Sequence, residues 1–225
     1  ESIKHPTVVH DTTALQVFDI QPKGIRQAIS GALENEREEL EKYPFSEIIH
    51  RPLKKNYWGT VQVGNRIFDS REVQLKLTPE EAFAPIQRIG GRTGWYAWNW
   101  LWKLRGWMDE CLGGVGMRRG RRDPESLQVG DFVDCWKVVI LEPGRRLRLL
   151  AEMKLPGEAW LEFEIVPIEK GVSLRQTAMF EPRGLMGILY WYLVLPLHHY
   201  VFRDMLRGIT RTAMEGAPRI EIRSA

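Results

Sequence analysis

Residues 131 to 180 read DFVDCWKVVILEPGRRLRLLAEMKLPGEAWLEFEIVPIEKGVSLRQTAMF, and this run decides the fold. Four strand-like segments, from Asp131 to Leu141, Arg145 to Leu155, Ala159 to Ile168 and Val172 to Phe180, are joined by Glu142-Pro143-Gly144, Pro156-Gly157-Glu158 and Glu169-Lys170-Gly171. Links this short leave no room for a crossover, so the neighbours run antiparallel. Side chains alternate between the two faces of a strand, which puts Phe132, Asp134, Trp136 and Val138 on one face of the first segment. The matching sets are Leu147, Leu149, Ala151 and Met153, then Leu161, Phe163 and Ile165, then Val172, Leu174, Gln176 and Phe180. Asp134 and Gln176 are polar intruders on an otherwise oily surface, and a buried polar group needs a partner: an arginine, a backbone amide, water or a ligand.

Upstream, Val73, Leu75 and Leu77 alternate with Glu72, Gln74 and Lys76 as in a half-buried strand beginning at Arg71. Thr78-Pro79-Glu80-Glu81 then carries a capping box with proline at the first helical position, and the helix it opens should stop at Gly90-Gly91. A second helix is expected from Trp95 to about Leu112, with Trp98, Leu101, Trp102 and Met108 near one face, before the loop Gly113-Gly114-Val115-Gly116. Downstream, 18 uncharged residues run from Leu185 to Phe202 between Arg183 and Arg203. That length touches the lower limit for a membrane span, but Pro196 and the pair His198, His199 argue against one and favour a core helix interrupted at Pro196. An interfacial membrane contact or a partner-docking face through Leu185 to Leu195 is the alternative. Beyond it, Leu197, Val201, Met205 and Ile209 trace one helical face down to about Met214.

Residues 1 to 57 differ in character. A charge-dense helical pattern with Ile25, Ile29, Leu33 and Leu40 on its apolar side runs from Gly24 through Glu41 and ends at Tyr43-Pro44, and the segment Arg51 to Arg66 reads as a linker. The expected division is an N-terminal extension, 1–57, and a main domain, 58–225.

Composition bounds the function. With 225 residues, 32 Lys+Arg against 29 Asp+Glu and 44% hydrophobic residues, the chain is globular, and a net charge of +3 is no electrostatic footprint for nucleic acid. Cys111 and Cys135 stand alone without zinc-site spacing, so no metal is expected and a reducing, cytoplasmic setting follows. The sequence begins at Glu1 with no cationic segment leading into an apolar core, which reads as a piece of a longer chain without a signal peptide. The Gly-x-Ser-x-Gly, His-Glu-x-x-His and Walker motifs are absent.

Several words in the chain are specific in combination: Gly94-Trp95-Tyr96, Trp100-Leu101-Trp102-Lys103-Leu104-Arg105-Gly106, the glycine–arginine run from Gly113 to Pro124, Met153-Lys154-Leu155-Pro156-Gly157 and Arg175-Gln176-Thr177-Ala178. Over roughly residues 57 to 214 the sequence resembles an uncharacterised domain that follows the NAD(P)-binding Rossmann domain in atypical short-chain dehydrogenase-like (NmrA- and epimerase-like) proteins. The order of elements is similar to the START and polyketide-cyclase-like (SRPBCC) superfamily. That resemblance implies an α+β helix-grip fold, in which a curved antiparallel sheet wraps a long C-terminal helix and two short helices follow the first strand. Val17-Phe18-Asp19-Ile20 followed by Pro22 to Ile29 looks like the tail of such a Rossmann-type partner. The dinucleotide fingerprint itself is missing, because Gly114-x-Gly116 follows a helix and lacks the third glycine, so no cofactor is expected on this chain.

Five of the nine tryptophans, Trp95, Trp98, Trp100, Trp102 and Trp107, crowd one region, either to glue helices to sheet or to wall a ligand. The expected pocket is lined by Trp98, Trp102, Trp136, Met153, Phe163, Tyr192 and Phe202, with Asp134, Gln176 and His198 as polar contacts. Adjacent His198 and His199 point apart on a helix and do not chelate one metal together. Arg118, Arg119, Arg121 and Arg122 are suited to phosphate, to contact with a Rossmann partner or to salt bridges across the pocket mouth, and Asp123 and Glu125, which follow at once, offset their charge. The leading reading is a non-catalytic domain holding a hydrophobic small molecule beside a Rossmann-type oxidoreductase domain. The rivals are an enzyme using Asp134 or His198 for acid/base chemistry, and a docking module using Leu185 to Leu195.

Overall fold

The structure is a computed structural model that describes Val17 and residues 24–49, 60–116 and 120–216. Two compact units divide the chain, Glu1–Tyr43 and Pro44–Ala225. The first contains helix α1 (Ile25–Lys42), on which Ile25 and Ile29 are exposed. Residues 18–23, where the sequence suggests the last strand of a Rossmann-type domain, lie outside the described residues, as do 50–59.

The second unit runs α2 (Phe45–Ile49), β1 (Thr60–Val63), β2 (Arg66–Leu75), α3 (Pro79–Gln87), α4 (Asn99–Cys111), β3 (Phe132–Val133), β4 (Trp136–Glu142), β5 (Arg146–Ala151), β6 (Gly157–Ile168), β7 (Gly171–Pro182) and α5 (Gly184–Gly216). Its strands form one antiparallel sheet in the order β1-β2-β7-β6-β5-β4-β3. The sheet is curved around α5, which is the α+β helix-grip architecture. Its inner face carries Leu147, Leu149, Leu161, Phe163, Ile165, Val172 and Leu174, and these close on Val201, Phe202, Met205 and Ile209 of α5 and on Phe83 and Ile86 of α3. The capping box of α3 is present: Thr78 Oγ1 accepts from the Glu81 amide at 3.3 Å and Glu81 Oε2 from the Thr78 amide at 2.9 Å.

Several expectations need correction. A strand precedes the expected first one: β1 pairs with β2 around Gly64-Asn65, where Gly64 takes a φ of +58° that a two-residue hairpin turn demands, so the expected linker contributes sheet. The two short helices therefore follow the second strand. The segment from Asp131 is likewise two strands, with Val133 opposite Trp136 and Phe132 opposite Lys137. Asp134 sits in the intervening turn at φ 56°, so Phe132 faces away from Trp136 and Asp134 is not on a strand face.

Helix α4 starts at Asn99, not Trp95, because Gly94, Tyr96 and Trp98 all adopt left-handed backbone conformations. On it Trp102 turns inward and Met108 outward, so they do not share a face. Helix α5 passes through Pro196 without interruption. Its first half is not core throughout, since Leu185, Met186, Leu189, Tyr192 and Leu193 are exposed while Trp191 and Leu195 are buried.

On the convex face of the sheet α2 covers a local patch. Phe45 of α2 packs edge-on against Phe68 at 5.8 Å beneath the Arg148 guanidinium, 4.1 Å from its ring centre. Glu162 accepts from the Phe45 amide at 2.7 Å and from Arg148 Nε at 2.6 Å, and both charged side chains are buried. Burial pushes Arg148 down and Glu162 up from their ordinary values, each opposed by the other's charge.

Candidate functional site

The tryptophans build a wall at one end of the grip. Trp95, buried in the loop before α4, stacks on Trp102 at 4.9 Å and lies 5.9 Å from Trp136 of β4, while Trp102 sits 6.5 Å from Trp136 and 6.4 Å from Phe202 of α5. Aromatic pairs at these separations add to the area they bury. The indole N–H groups of Trp102 and Trp136 are nonetheless buried without a hydrogen-bond partner among the described residues.

A polar strip continues from this wall along the inner face. Gln176 of β7 donates from Nε2 to the Phe202 carbonyl at 3.1 Å, and its Oε1 is buried and unpartnered among the described residues. Directly across, at the paired position of β2, stands Arg71. Arg71 Nη2 reaches Asp69 Oδ2 at 2.8 Å and His199 Nδ1 at 3.3 Å, while its Nη1 is buried without a partner among the described residues. Asp69 Oδ2 also lies 3.1 Å from His198 Nδ1, and the His198 ring stacks on Phe202 at 3.9 Å. Burial raises the Asp69 carboxyl, but His198 and Arg71 more than offset this and hold it below the ordinary carboxylate range. Burial pushes His198 down, against the pull of Asp69, which keeps the imidazole neutral at neutral pH. An ionised carboxylate only accepts, so Nδ1 carries the proton and Nε2 presents a lone pair.

The expected site residues are thus distributed unevenly. Trp102, Trp136, Gln176, His198 and Phe202 fall on the continuous strip, and Phe163 is fully buried beside Gln176 at its paired position on β6. Met153 packs on the core just after β5. Trp98 is half-exposed at the rim, where its indole donates to Asp204 at 3.0 Å. Tyr192 is 63% exposed on the outer side of α5 and does not join the strip. Asp134 is buried in the β3–β4 turn, where Oδ2 accepts from the Trp95 indole at 2.9 Å and the Gly91 amide at 3.3 Å. Its carboxylate ties the Gly90-Gly91 loop and the wall together.

Sequence reasoning missed Asp69 and Arg71, although Ile67, Asp69, Arg71, Val73 and Leu75 alternate on the face that Val73 and Leu75 announced. It also missed Asp109, fully buried on α4, which accepts from the amides of Gly116 and Lys154 at 2.8 Å each and thereby fixes the glycine loop. Arg121 donates to the carbonyls of Gln87, Ile89 and Ser126, closing the end of α3, and Arg122 forms a two-pronged pair with Asp131. Arg118 and Arg119 lie outside the described residues. Among the described residues no group of three or more His, Cys, Asp or Glu side chains is arranged to hold a metal ion. A separate crevice of about 290 Å³ between α3 and the end of α5, lined by Glu80, Glu81, Arg88 and Thr212, holds no aromatic side chain.

No curated protein matches the chain. Among solved structures, norcoclaurine synthase from Thalictrum flavum is similar at 11% identity over 68% of this chain and 90% of that one, with a TM-score of 0.43. Protein MLL2253 from Mesorhizobium loti shares 11% identity over 67% of this chain and 99% of its own, with a TM-score of 0.40. The di-domain ARO/CYC StfQ of the steffimycin biosynthetic pathway shares 10% identity over 67% of this chain and 52% of its own, with a TM-score of 0.43. The family model described as protein of unknown function (DUF2867) matches residues 64–205, most of the helix-grip unit, and the chain belongs to that family.

Proposed function

We propose that the helix-grip unit binds a hydrophobic small molecule against the Trp102–Trp136–Phe202 wall, with the polar atoms of that molecule met by Arg71 and Gln176. The observation that carries this reading is the set of four buried polar atoms, Arg71 Nη1, Gln176 Oε1, Trp102 Nε1 and Trp136 Nε1, that lack partners among the described residues. Native interiors pair such groups, and each left alone costs about 1–3 kcal/mol, so four along one strip call for a ligand or bound water. A molecule with an apolar body and a hydroxyl group, which both donates and accepts, would satisfy donors and acceptor together. The resemblance in sequence suggests a longer setting, in which the module holds substrate for, or regulates, a Rossmann-type NAD(P)-dependent oxidoreductase domain. The test is native mass spectrometry of freshly purified protein, followed by titration of any adduct into Gln176→Leu and Trp102→Phe variants. A co-purified hydrophobic compound that both variants hold more weakly supports the reading; binding unchanged in both overturns it.

The His198–Asp69 pair favours a second reading. A neutral imidazole with Nδ1 held by a carboxylate presents Nε2 as a general base, with Asp69 as the positioning residue. Once a ligand is identified, His198→Gln retaining binding while abolishing its conversion would support catalysis, and unchanged conversion would dismiss it.

A further inference from the structure

The first half of α5 is apolar on every side, yet only one side is covered. Trp191 and Leu195 pack on the sheet and His198 is tied to Asp69, while Leu185 (79% exposed), Leu189, Tyr192 and Leu193 (77%) face solvent, and no charged residue occurs from Gly184 to Phe202. Helices that are hydrophobic all round are normally enclosed, and an exposed apolar stripe of this length marks a contact surface. Helix α4 presents a second stripe, with Trp100 (60%), Leu104 and Trp107 (62%) exposed. The two are linked, since Trp100 lies 6.2 Å from Trp98, whose indole binds Asp204 of α5, and Asp204 pairs with Arg203 beneath the Tyr200 ring.

We infer that this surface docks on an anionic lipid bilayer, with α5 lying in the plane of the interface. Three observations select this occupant. The stripe carries no charge and is bordered by surface cations that outnumber the acids they pair with: Lys103 on α4 is exposed, Arg203 and Arg207 share Asp204, and Arg183 and Arg211 pair at the surface with Glu158 and Glu215, leaving an excess of positive charge that complements phosphate headgroups. Its edges carry Trp and Tyr, whose apolar rings and polar tips suit the headgroup level. A second copy of the chain, related by a twofold axis, would bring the same arginines towards each other. The helix does not span, because its other face is committed to Trp191, Leu195 and His198 against the sheet, and crossing the bilayer would strip those contacts away. This inference stands independently of the ligand strip, since none of the stripe side chains belongs to it.

The experiment sediments the purified chain with sucrose-loaded vesicles of phosphatidylcholine mixed with phosphatidylglycerol, with pure phosphatidylcholine as control. Leu189→Glu/Leu193→Glu is run in parallel, its fold checked by near-ultraviolet circular dichroism, and oligomeric state is read by analytical ultracentrifugation. The expected result is binding to the anionic vesicles that weakens in high salt and falls about tenfold or more in the variant. Wild-type protein that stays in the supernatant, or a folded variant that pellets equally well, overturns the proposal. A dimer that the variant dissociates, with no vesicle binding by either protein, overturns it in favour of an interface between copies.

Discussion

Arg71 and Gln176 occupy paired positions on β2 and β7, and each keeps one buried polar atom without a partner among the described residues. The pair is asymmetric in its other commitments: Arg71 is held by Asp69, whereas Gln176 makes a single bond to the Phe202 carbonyl. Gln176→Leu removes one unsatisfied acceptor along with that bond, so the two effects oppose. Stability should change by less than about 1 kcal/mol in chemical denaturation, while affinity for a hydrophobic ligand bearing a hydrogen-bond donor should fall about tenfold by calorimetry. A large stability loss with unchanged affinity would make Gln176 a core residue only.

The His198–Asp69 pair sets a pH dependence. The His198 value lies below its unfolded reference of 6.5, so the unfolded chain takes up a proton that the folded one refuses. The stabilisation is therefore complete above about pH 6.5 and is lost as pH falls from there towards the lowered folded value. Asp69, also lowered, contributes stability that persists until pH drops below the ordinary carboxylate value of 3.8. Urea midpoints recorded across this range should decline on acidification below 6.5, and His198→Gln should flatten that part of the curve. An unchanged slope in the variant would assign it to other groups.

Asp109 explains why the loop after α4 is rich in glycine. A Cβ on Gly114 would meet its carboxylate at 2.2 Å, and the carboxylate has no freedom to retreat because two backbone amides hold it in a fully buried site. Gly114→Ala should cost about 2–3 kcal/mol by overpacking. Asp109→Ala should cost about 3 kcal/mol by stranding the amides of Gly116 and Lys154. The double variant should cost clearly less than the sum, because removing the carboxylate makes room for the methyl group; additive losses would contradict this geometry.

The two thiols should behave differently. Cys111 is exposed, whereas burial and the nearby Asp134 carboxylate push Cys135 up to about 12. Iodoacetamide should alkylate native protein at Cys111 and reach Cys135 only in denaturant, as read by peptide mass spectrometry. Rapid labelling of Cys135 in the native chain would show that the β3–β4 turn opens readily.

The alternation of Leu147, Leu149, Leu161, Phe163 and Leu174 made the inner face legible, because period-two patterning is dictated by the pleat and survives any tertiary arrangement. Gln176 stood out by the same logic. What failed was local turn geometry: the face count through Phe132, Asp134 and Trp136 assumed an unbroken strand, and one left-handed residue reversed it. Asp69 and Arg71 are hidden for a related reason, since the Gly64-Asn65 turn resembles linker in the sequence and clear alternation begins only at Arg71. The exposed half of α5 was illegible on principle, because an all-apolar helix looks the same whether a sheet or another surface covers it.

Asp134 offers the sharpest separation of structural from chemical roles. Its carboxylate accepts from the Trp95 indole and the Gly91 amide, and its own backbone is left-handed at φ 56°. Asparagine keeps an acceptor oxygen and tolerates that backbone conformation, so Asp134→Asn should cost no more than about 1 kcal/mol. Glycine relieves the backbone but abandons both donors, so Asp134→Gly should cost about 2 kcal/mol. Alanine abandons the donors and adds about 1 kcal/mol of left-handed strain, so Asp134→Ala should be the worst of the three, near 3 kcal/mol. Chemical denaturation of the set measures the order directly. If Asp134 serves only to fix the loop and the wall, ligand binding should follow stability through the series, and any turnover should survive in Asp134→Asn. Turnover abolished in a stable, ligand-binding Asp134→Asn protein would instead give the carboxylate a chemical role and move the centre of the site from His198 to the β3–β4 turn.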